Sequence, residues 1–223
     1  MFLVAVSCGC GNGNISNNAD AKPESTPPTI SDGPKIIAYG DSLTAGFGLA
    51  SWEMSYPAML QRSVDAAGYN YQVVNYGRNG DTAEAGLKRL WLALGVSNIK
   101  IFILALGAND VVRQTPPDEI KRNLSEIIRQ VKEKNVKVLL CGIYAPERYG
   151  PEYGNAIKQM YVNLARENDV LLMPTLMQDV SDFPERMLPD NVHPNEEGAK
   201  VIEKNVFAAV MPLLEKDVQE KKK

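Results

Sequence analysis

The segment DNVHPN, residues 190–195, contains the single histidine of this chain of 223 residues. Asp190 precedes His193 by three residues, so one turn of the backbone brings the carboxylate within reach of one ring nitrogen. The other ring nitrogen is then available to accept a proton. Asn195 and the two glutamates after it are typical of a helix start, which places His193 on a loop. The pair suits a base with its orienting carboxylate, and the alternative is a structural histidine.

A histidine base needs a nucleophile, and the segment GDSLTAGFG offers Ser42 directly after an apolar run. A serine at a helix start exposes its hydroxyl beside backbone N–H groups that can face an oxyanion. The alternative is that Ser42 merely caps the next helix. A dinucleotide site is disfavoured, because Gly46 and Gly48 lack the third glycine of G-x-G-x-x-G.

Two further segments contain groups that can stabilise a developing negative charge. In NYGRNGDT, Gly77 and Gly80 flank Arg78 and Asn79, and a glycine here lets the backbone approach a ligand closely, so that its N–H could donate to an oxyanion. In LGANDVV, the amide of Asn109 is a neutral donor. Each segment also has an ordinary interpretation as a turn, with Asp81 or Thr82 capping the helix that follows Gly80.

The elements that position these residues alternate along the chain. Apolar runs rich in β-branched residues predict strands at 35–40, 71–77, 99–107, 136–144 and 170–174. Helical periodicity occupies about 54–67, 82–94, 117–134, 153–168 and 196–215. This pattern predicts an α/β fold with a doubly wound, five-stranded parallel sheet flanked by helices. In such sheets a ligand binds beyond the carboxyl ends of the strands, where the polar segments above are expected.

Composition indicates one soluble globular domain, since 44% of the residues are hydrophobic, 23% are charged and the net charge is −3. We expect this domain at residues 34–218, after a lipoprotein-like signal or anchor and a flexible tether at 1–33, and before a solvated basic tail at 219–223. Nothing in the charge pattern suggests a nucleic-acid partner.

The cysteines suggest an anchor rather than a metal site. The apolar start MFLVAVSCGC resembles the end of a bacterial lipoprotein signal, with Cys8 as the lipidated residue, and a polar tether follows. The alternative is a disordered tail in which Cys8 and Cys10 are incidental. Cys141 lies in an apolar run and is expected to be a buried thiol. One histidine and no close cysteine pair in the folded region offer too few ligands for a metal.

Taken together and in order, the four polar blocks resemble those of the SGNH or GDSL hydrolase family: GDSLTAG, Gly80 in NGDT, GAND and DNVHPN. The resemblance spans residues 35 to about 215. It is nearest to bacterial periplasmic enzymes with thioesterase, arylesterase and lysophospholipase activities, which lack the N-terminal tether. It implies the flavodoxin-like fold of that family and a serine ester hydrolase that needs no metal or organic cofactor.

The resemblance also implies a role for each residue in the blocks. Ser42 would be the nucleophile, His193 the general base and Asp190 its orienting carboxylate. The oxyanion hole would consist of the backbone N–H groups of Ser42 and Gly80 with the side chain of Asn109.

Substrate choice is predicted only broadly. The loops are short, which favours an open site for short to medium acyl or aryl esters, with thioesters and lysophospholipids as further candidates. The expected apolar contacts are Leu43, Ala108, Pro146 and Tyr149. A carbohydrate O-acetyl esterase of the cell envelope is the alternative within hydrolases. A flavodoxin-like binding module without catalysis is the alternative of another class.

Overall fold

The computed structural model describes residues 29–221, in which five strands and seven α-helices alternate. The strands are β1 (Lys35–Gly40), β2 (Gln72–Gly77), β3 (Ile99–Ala105), β4 (Lys137–Cys141) and β5 (Leu171–Met173). The helices are α1 (Ser42–Ala45), α2 (Tyr56–Ala66), α3 (Ala83–Leu94), α4 (Ala108–Val112), α5 (Pro117–Glu133), α6 (Pro151–Asn168) and α7 (Glu196–Glu220).

The strands form one parallel sheet in the order β2-β1-β3-β4-β5. This is the flavodoxin-like order of a doubly wound sheet, as predicted. Strand β1 lies near the centre and is buried along its whole length, which explains its run of apolar residues. One core cluster lies on each face of the sheet, the first against α3, α5 and α6 and the second against α2 and α7.

Helix α5 illustrates how the sequence specifies a covering helix. Its buried residues recur every three or four positions and lie on one stripe: Ile120, Leu124, Ile127, Ile128 and Val131. The remaining positions are mostly charged, so the helix buries one face and leaves the other in solvent. Pro117 at the first helical position fits the start, because the missing N–H is one that the helix would not use.

The C-terminus differs from the sequence-based expectation. Helix α7 continues to Glu220, and Lys221 is held against the domain rather than lying in a solvated tail. Its Nζ lies 2.9 Å from Asp217 Oδ2 and donates to the Tyr71 hydroxyl at 3.0 Å. Lys137 binds the other oxygen of Asp217 at 2.8 Å. The Tyr71 hydroxyl also donates to Asp217, so this buried carboxylate has three partners and Lys221 is one of them.

Both ends of the described chain lie at the same edge of the sheet. Ser31 donates its backbone N–H to the side chain of Gln72, at the start of β2. Lys221 contacts Tyr71, the residue before it. The carboxyl ends of the strands, where the four polar segments are found, form the opposite edge.

Among residues 29–221, no helix combines the length and apolarity that a membrane span requires.

Candidate active site

Ser42 is presented by a sharp turn between β1 and α1. Asp41 is the N-cap of the short helix, and its carboxylate accepts a hydrogen bond from the Leu43 backbone N–H at 3.0 Å. Ser42 is therefore the first helical residue and its side chain does not cap, so the alternative interpretation of Ser42 as a cap is wrong. Because the Asp41 side chain caps the helix, the Ser42 hydroxyl is available for another hydrogen-bond partner.

The histidine loop is folded back on itself before α7. Met187 and Pro194 form an isolated antiparallel bridge, and the Leu188 N–H donates to the His193 carbonyl at 2.7 Å. Asn195 caps α7 as predicted, since its side chain accepts from the Gly198 N–H at 3.1 Å. The bridge before α7 and the cap at its start therefore fix the position of the His193 backbone.

The structure brings Ser42, His193 and Asp190 into one hydrogen-bonded chain, although Ser42 and His193 are 151 positions apart in sequence. His193 Nε2 lies 3.0 Å from Ser42 Oγ, and His193 Nδ1 lies 2.7 Å from Asp190 Oδ2. The imidazole is mostly buried, whereas the Asp190 carboxylate is partly exposed. This arrangement lets a hydroxyl proton pass to the ring while the carboxylate stabilises the resulting imidazolium.

Asp190 is held in its ionised form. The backbone N–H and the ring of His193, together with the Val192 N–H, donate to its oxygens and lower its pKa to about 2. An ionised carboxylate only accepts, so the proton between it and the ring resides on Nδ1. Nε2 then carries a lone pair directed at the Ser42 hydroxyl, which is the tautomer that a base needs.

Three candidate oxyanion donors come from three different segments: the start of α1, the Gly80 loop and the start of α4. Gly80 has a positive φ of 81°, a conformation that glycine adopts without strain. The Asn109 amide donates one N–H to the Asp81 carbonyl at 2.9 Å, which leaves its second N–H available. Within residues 29–221, no hydrogen-bond acceptor is assigned to the backbone N–H of Ser42 or of Gly80. These donors can serve a ligand oxygen without breaking a bond within the protein.

A buried ion pair fixes the loop that holds Gly80. Arg89, on the buried face of α3, binds the Asp81 carboxylate and donates to the Gly40 carbonyl at 2.9 Å. Its guanidinium also lies 4.2 Å from the centre of the Tyr39 ring. Arg89 thus joins the end of β1 to the Gly80 loop, and through the Asp81 carbonyl that loop is joined to Asn109.

Two more carboxylates are buried beneath the site. Burial raises the pKa of Asp41 to about 7, and one of its oxygens lacks a hydrogen-bond partner in the described protein. Burial also raises the pKa of Asp110, although the Ala83 N–H donates to it at 2.8 Å and opposes the shift. Asp110, the residue after Asn109, therefore joins α4 to the start of α3.

The four expected substrate contacts occupy different environments. Leu43 is only 8% exposed and packs in the core cluster beneath the sheet. Ala108 is half-buried and packs against both core clusters. Pro146 and Tyr149 belong to the loop after β4, and Tyr149 packs against the core. The substrate-contact role of these residues stays a prediction, and Cys8 lies outside the described residues.

Sequence reasoning missed several residues that shape the site. Arg89 carried a signal, since it is a charged residue on the apolar stripe of α3, beside Gly86 and Leu90. Asp41 was part of a recognised block, but its capping role depended on backbone geometry. Phe47, whose ring contacts His193, had no periodic pattern to mark it.

Known proteins match this chain over the region that contains the site. The family model of GDSL-like Lipase/Acylhydrolase matches residues 38–201. Esterase TesA of Pseudomonas aeruginosa is 32% identical over 179 residues, covering 80% of this chain and 89% of the relative. The Thioesterase 1/protease 1/lysophospholipase L1 of Escherichia coli strain K12 is 33% identical over 182 residues, covering 82% and 86%.

Solved structures agree with these sequence matches. The crystal structure of the psychrotrophic esterase EstA from Pseudoalteromonas sp., inhibited by monoethylphosphonate, superposes with a TM-score of 0.77 at 26% identity. The match covers 82% of this chain and all of that chain. On the extent of these matches, the chain belongs to the GDSL-like lipase/acylhydrolase family and is a hydrolase.

Proposed function

We propose that Ser42 is the nucleophile of this hydrolase, that His193 is its general base and that Asp190 orients the base. The observation that supports this most directly is the continuous hydrogen-bonded chain from Ser42 Oγ through both ring nitrogens to the carboxylate. Serine alone is a weak nucleophile at neutral pH, and an adjacent neutral imidazole is what activates it.

The reaction proceeds through an acyl-enzyme. Ser42 Oγ attacks the ester carbonyl as its proton moves to His193 Nε2, and the carbonyl electrons pass to the oxygen. Collapse of this intermediate expels the alcohol, which takes the proton from the imidazolium. Water then attacks the acyl group and gives its proton to His193. The second intermediate collapses by breaking the bond to Ser42 Oγ, which takes the proton back from the imidazolium, and the carboxylic acid is released.

The negatively charged oxygen of the intermediate accepts hydrogen bonds from the three candidate donors. We assign this oxyanion hole to the backbone N–H groups of Ser42 and Gly80 and to the second amide N–H of Asn109. Because these donors are fixed before the substrate binds, little reorganisation is needed as the charge develops.

The substrates we favour are short to medium acyl or aryl esters. The site is open, since Phe47, Gly80 and Asp190 around it are all exposed. Exposed apolar side chains of Val112 and Tyr144 follow β3 and β4 at the same edge and offer surface to an acyl or aryl group. The names of the relatives in Pseudomonas and Escherichia support esters, thioesters and lysophospholipids as classes to test.

A chain-length series separates the substrate classes. We expect p-nitrophenyl esters from acetate to octanoate to be hydrolysed, with the highest kcat/KM at short or medium length. Acetylated sugars provide the comparison for the carbohydrate O-acetyl esterase alternative. A kcat/KM for O-acetylated xylan or O-acetylated glucosamine far above that for every p-nitrophenyl ester would favour that alternative.

The nucleophile is tested with the Ser42→Ala variant. Hydrolysis of p-nitrophenyl butyrate and labelling by a fluorophosphonate are both expected to disappear, while Ser63→Ala, a serine substitution on α2, retains both. The solved relative inhibited by monoethylphosphonate supports the choice of probe. Equal turnover by wild type and Ser42→Ala would remove Ser42 from the mechanism.

We also propose that the chain is exported and anchored through a lipid on Cys8. Support comes from the apolar run that ends at this cysteine and from the polar segment that follows it. In a bacterial host, wild type and Cys10→Ser should sediment with membranes, whereas Cys8→Ser should not. Mass spectrometry of the mature N-terminus checks the modification. A Cys8→Ser protein that still sediments with membranes would contradict the proposal.

A further inference from the structure

We infer that Phe47 is a positioning residue for the His193 imidazole, an inference that rests on the proposed role of His193 as the base. The two rings lie with their centres 4.6 Å apart and their planes inclined by 46°. Phe47 is 47% exposed, so its ring is held against the histidine without belonging to either core cluster. An exposed aromatic ring in contact with a reacting group calls for an explanation other than core packing.

The loop that carries Phe47 leaves α1 and docks on the histidine loop. The Phe47 N–H donates to the Ser42 carbonyl at 3.1 Å, which ties the ring to the turn of the nucleophile. Gly48 follows with a φ of 78° and lies against Leu188, since a Cβ at this position would come 2.4 Å from Leu188 Cδ1. The contact between the two loops therefore consists of Phe47 on His193 and Gly48 on Leu188.

The hydrogen bonds of His193 leave one motion unrestrained. The two bonds restrain the ring at Nε2 and at Nδ1, and neither opposes a tilt of the imidazole about the line that joins these nitrogens. The Phe47 ring, whose centre lies 4.6 Å from that of the imidazole, opposes this tilt by contact. Keeping Nε2 aligned with Ser42 Oγ matters because hydrogen bonds weaken steeply as their angle departs from linear.

The same contact acts on the charge that forms during the reaction. His193 becomes a cation only when it has taken the proton from Ser42, and a nearby aromatic ring attracts a cation. Phe47 therefore stabilises the transition state more than it stabilises the enzyme–substrate complex. An interaction of this kind raises kcat and leaves KM nearly unchanged.

The test compares Phe47→Leu and Phe47→Tyr with wild type, using p-nitrophenyl acetate and p-nitrophenyl butyrate. Phe47→Leu is expected to lower kcat roughly 5- to 10-fold on both esters with KM within about 2-fold. Phe47→Tyr, which keeps the ring, should restore kcat to within about 2-fold. Phe183→Leu makes the same change at another partly exposed ring, which packs on Arg186 rather than on His193, and should leave kcat unchanged.

Other outcomes overturn the inference in recognisable ways. An increase in KM that grows from acetate to butyrate would make Phe47 a wall of the acyl site. A Phe47→Leu enzyme with wild-type kcat would show that the ring contact does not matter. Phe47→Met, similar in volume but without an aromatic face, replaces Phe47→Leu if thermal unfolding shows that the leucine variant does not fold. A wild type that hydrolyses neither ester would count against the proposed function and not against the contact.

Discussion

Asp190 binds His193 at two points, with Oδ2 2.7 Å from ring Nδ1 and Oδ1 accepting the His193 backbone N–H at 3.0 Å. Oδ1 also accepts the Val192 N–H at 2.9 Å. One carboxylate thus shapes the turn that carries the histidine and orients the ring. The three-residue spacing of DNVH is what makes both contacts available to one side chain.

Replacing Asp190 by asparagine should reverse the histidine tautomer. The amide oxygen of the substituted side chain would keep the two backbone donors, so its NH₂ group would face ring Nδ1. Nδ1 would then have to accept, and the proton would move to Nε2, where it blocks proton transfer from Ser42. We expect kcat to fall by about 10³-fold or more, with KM changed little.

The measurement is steady-state hydrolysis of p-nitrophenyl butyrate by Asp190→Asn, with circular dichroism to verify the fold. Asp179→Asn provides a control at another surface loop. An Asp190→Asn enzyme within about 10-fold of wild type would show that the carboxylate serves the turn alone.

Removing the Asn109 amide should weaken stabilisation of the oxyanion. Asn109→Ala loses the free N–H and the bond to the Asp81 carbonyl, and we expect kcat to fall on the order of 10²-fold or more. KM should change much less, because the charge exists only after attack. The check is a kcat and KM determination on p-nitrophenyl butyrate, and a loss confined to KM would place Asn109 in substrate binding.

The Arg89 and Asp81 pair should matter for both folding and rate. Both side chains are less than 10% exposed, so Arg89→Met removes the buried partner of the Asp81 carboxylate and leaves it the exposed Arg78, 4.0 Å away. We expect the free energy of unfolding to drop by about 3 to 5 kcal/mol, measured by urea denaturation. The surviving folded enzyme should also lose kcat, because the Gly80 loop and the Asp81 carbonyl lose their support.

A matched control is Arg129→Met on α5, where the guanidinium forms exposed pairs with Glu126 and Glu133. Exposed ion pairs contribute little to stability, so the midpoint of urea unfolding of this variant should lie near that of wild type. If the two arginine variants unfold alike, the Arg89 pair does not stabilise the domain.

Asp41 should make stability depend on pH. Its pKa is raised from 3.8 to about 7 by burial, so the folded state binds a proton that the unfolded state has released. The contribution of Asp41 to the free energy of unfolding is therefore fully present below about pH 4 and is lost as pH rises towards 7. The slope reaches at most about 1.4 kcal/mol per pH unit.

Asp41→Asn removes this titration while keeping an oxygen for the Leu43 N–H. Urea unfolding of both proteins between about pH 4.5 and 8 should give a free-energy difference that varies with pH, with wild type falling faster. Parallel curves would mean that Asp41 is not a titrating group in this range.

The central strands of the sheet were predictable because β1 and most of β3 and β4 are buried. Runs such as KIIAYG and IKIFILALG are continuous in apolar residues, and the structure places β1 and β3 within them. The strand ends were less well defined, since apolar residues continue past Ala105 into the loop. Helices α1 and α4, with four and five residues, are too short to show a helical period.

The candidate site was predictable as a set of residues but not as a geometry. Ligand sites of parallel sheets lie beyond the carboxyl ends of the strands. That rule and the order of the segments along the chain predicted that Ser42, Gly80, Asn109 and His193 lie at one edge. The contacts that fix them depend on side-chain direction, which sequence spacing does not give. Phe47 contacts His193 from a loop with positive φ angles at Gly46 and Gly48. Lys221 is held by Asp217, one turn earlier in the same helix, and by Tyr71, just before β2.

The edge of the sheet at which Ser31 and Lys221 lie has a practical consequence. A support, a fusion partner or an affinity tag joined to either end of the domain is attached on the side away from Ser42. Immobilisation through either terminus should therefore leave ester hydrolysis accessible to substrates in bulk solution.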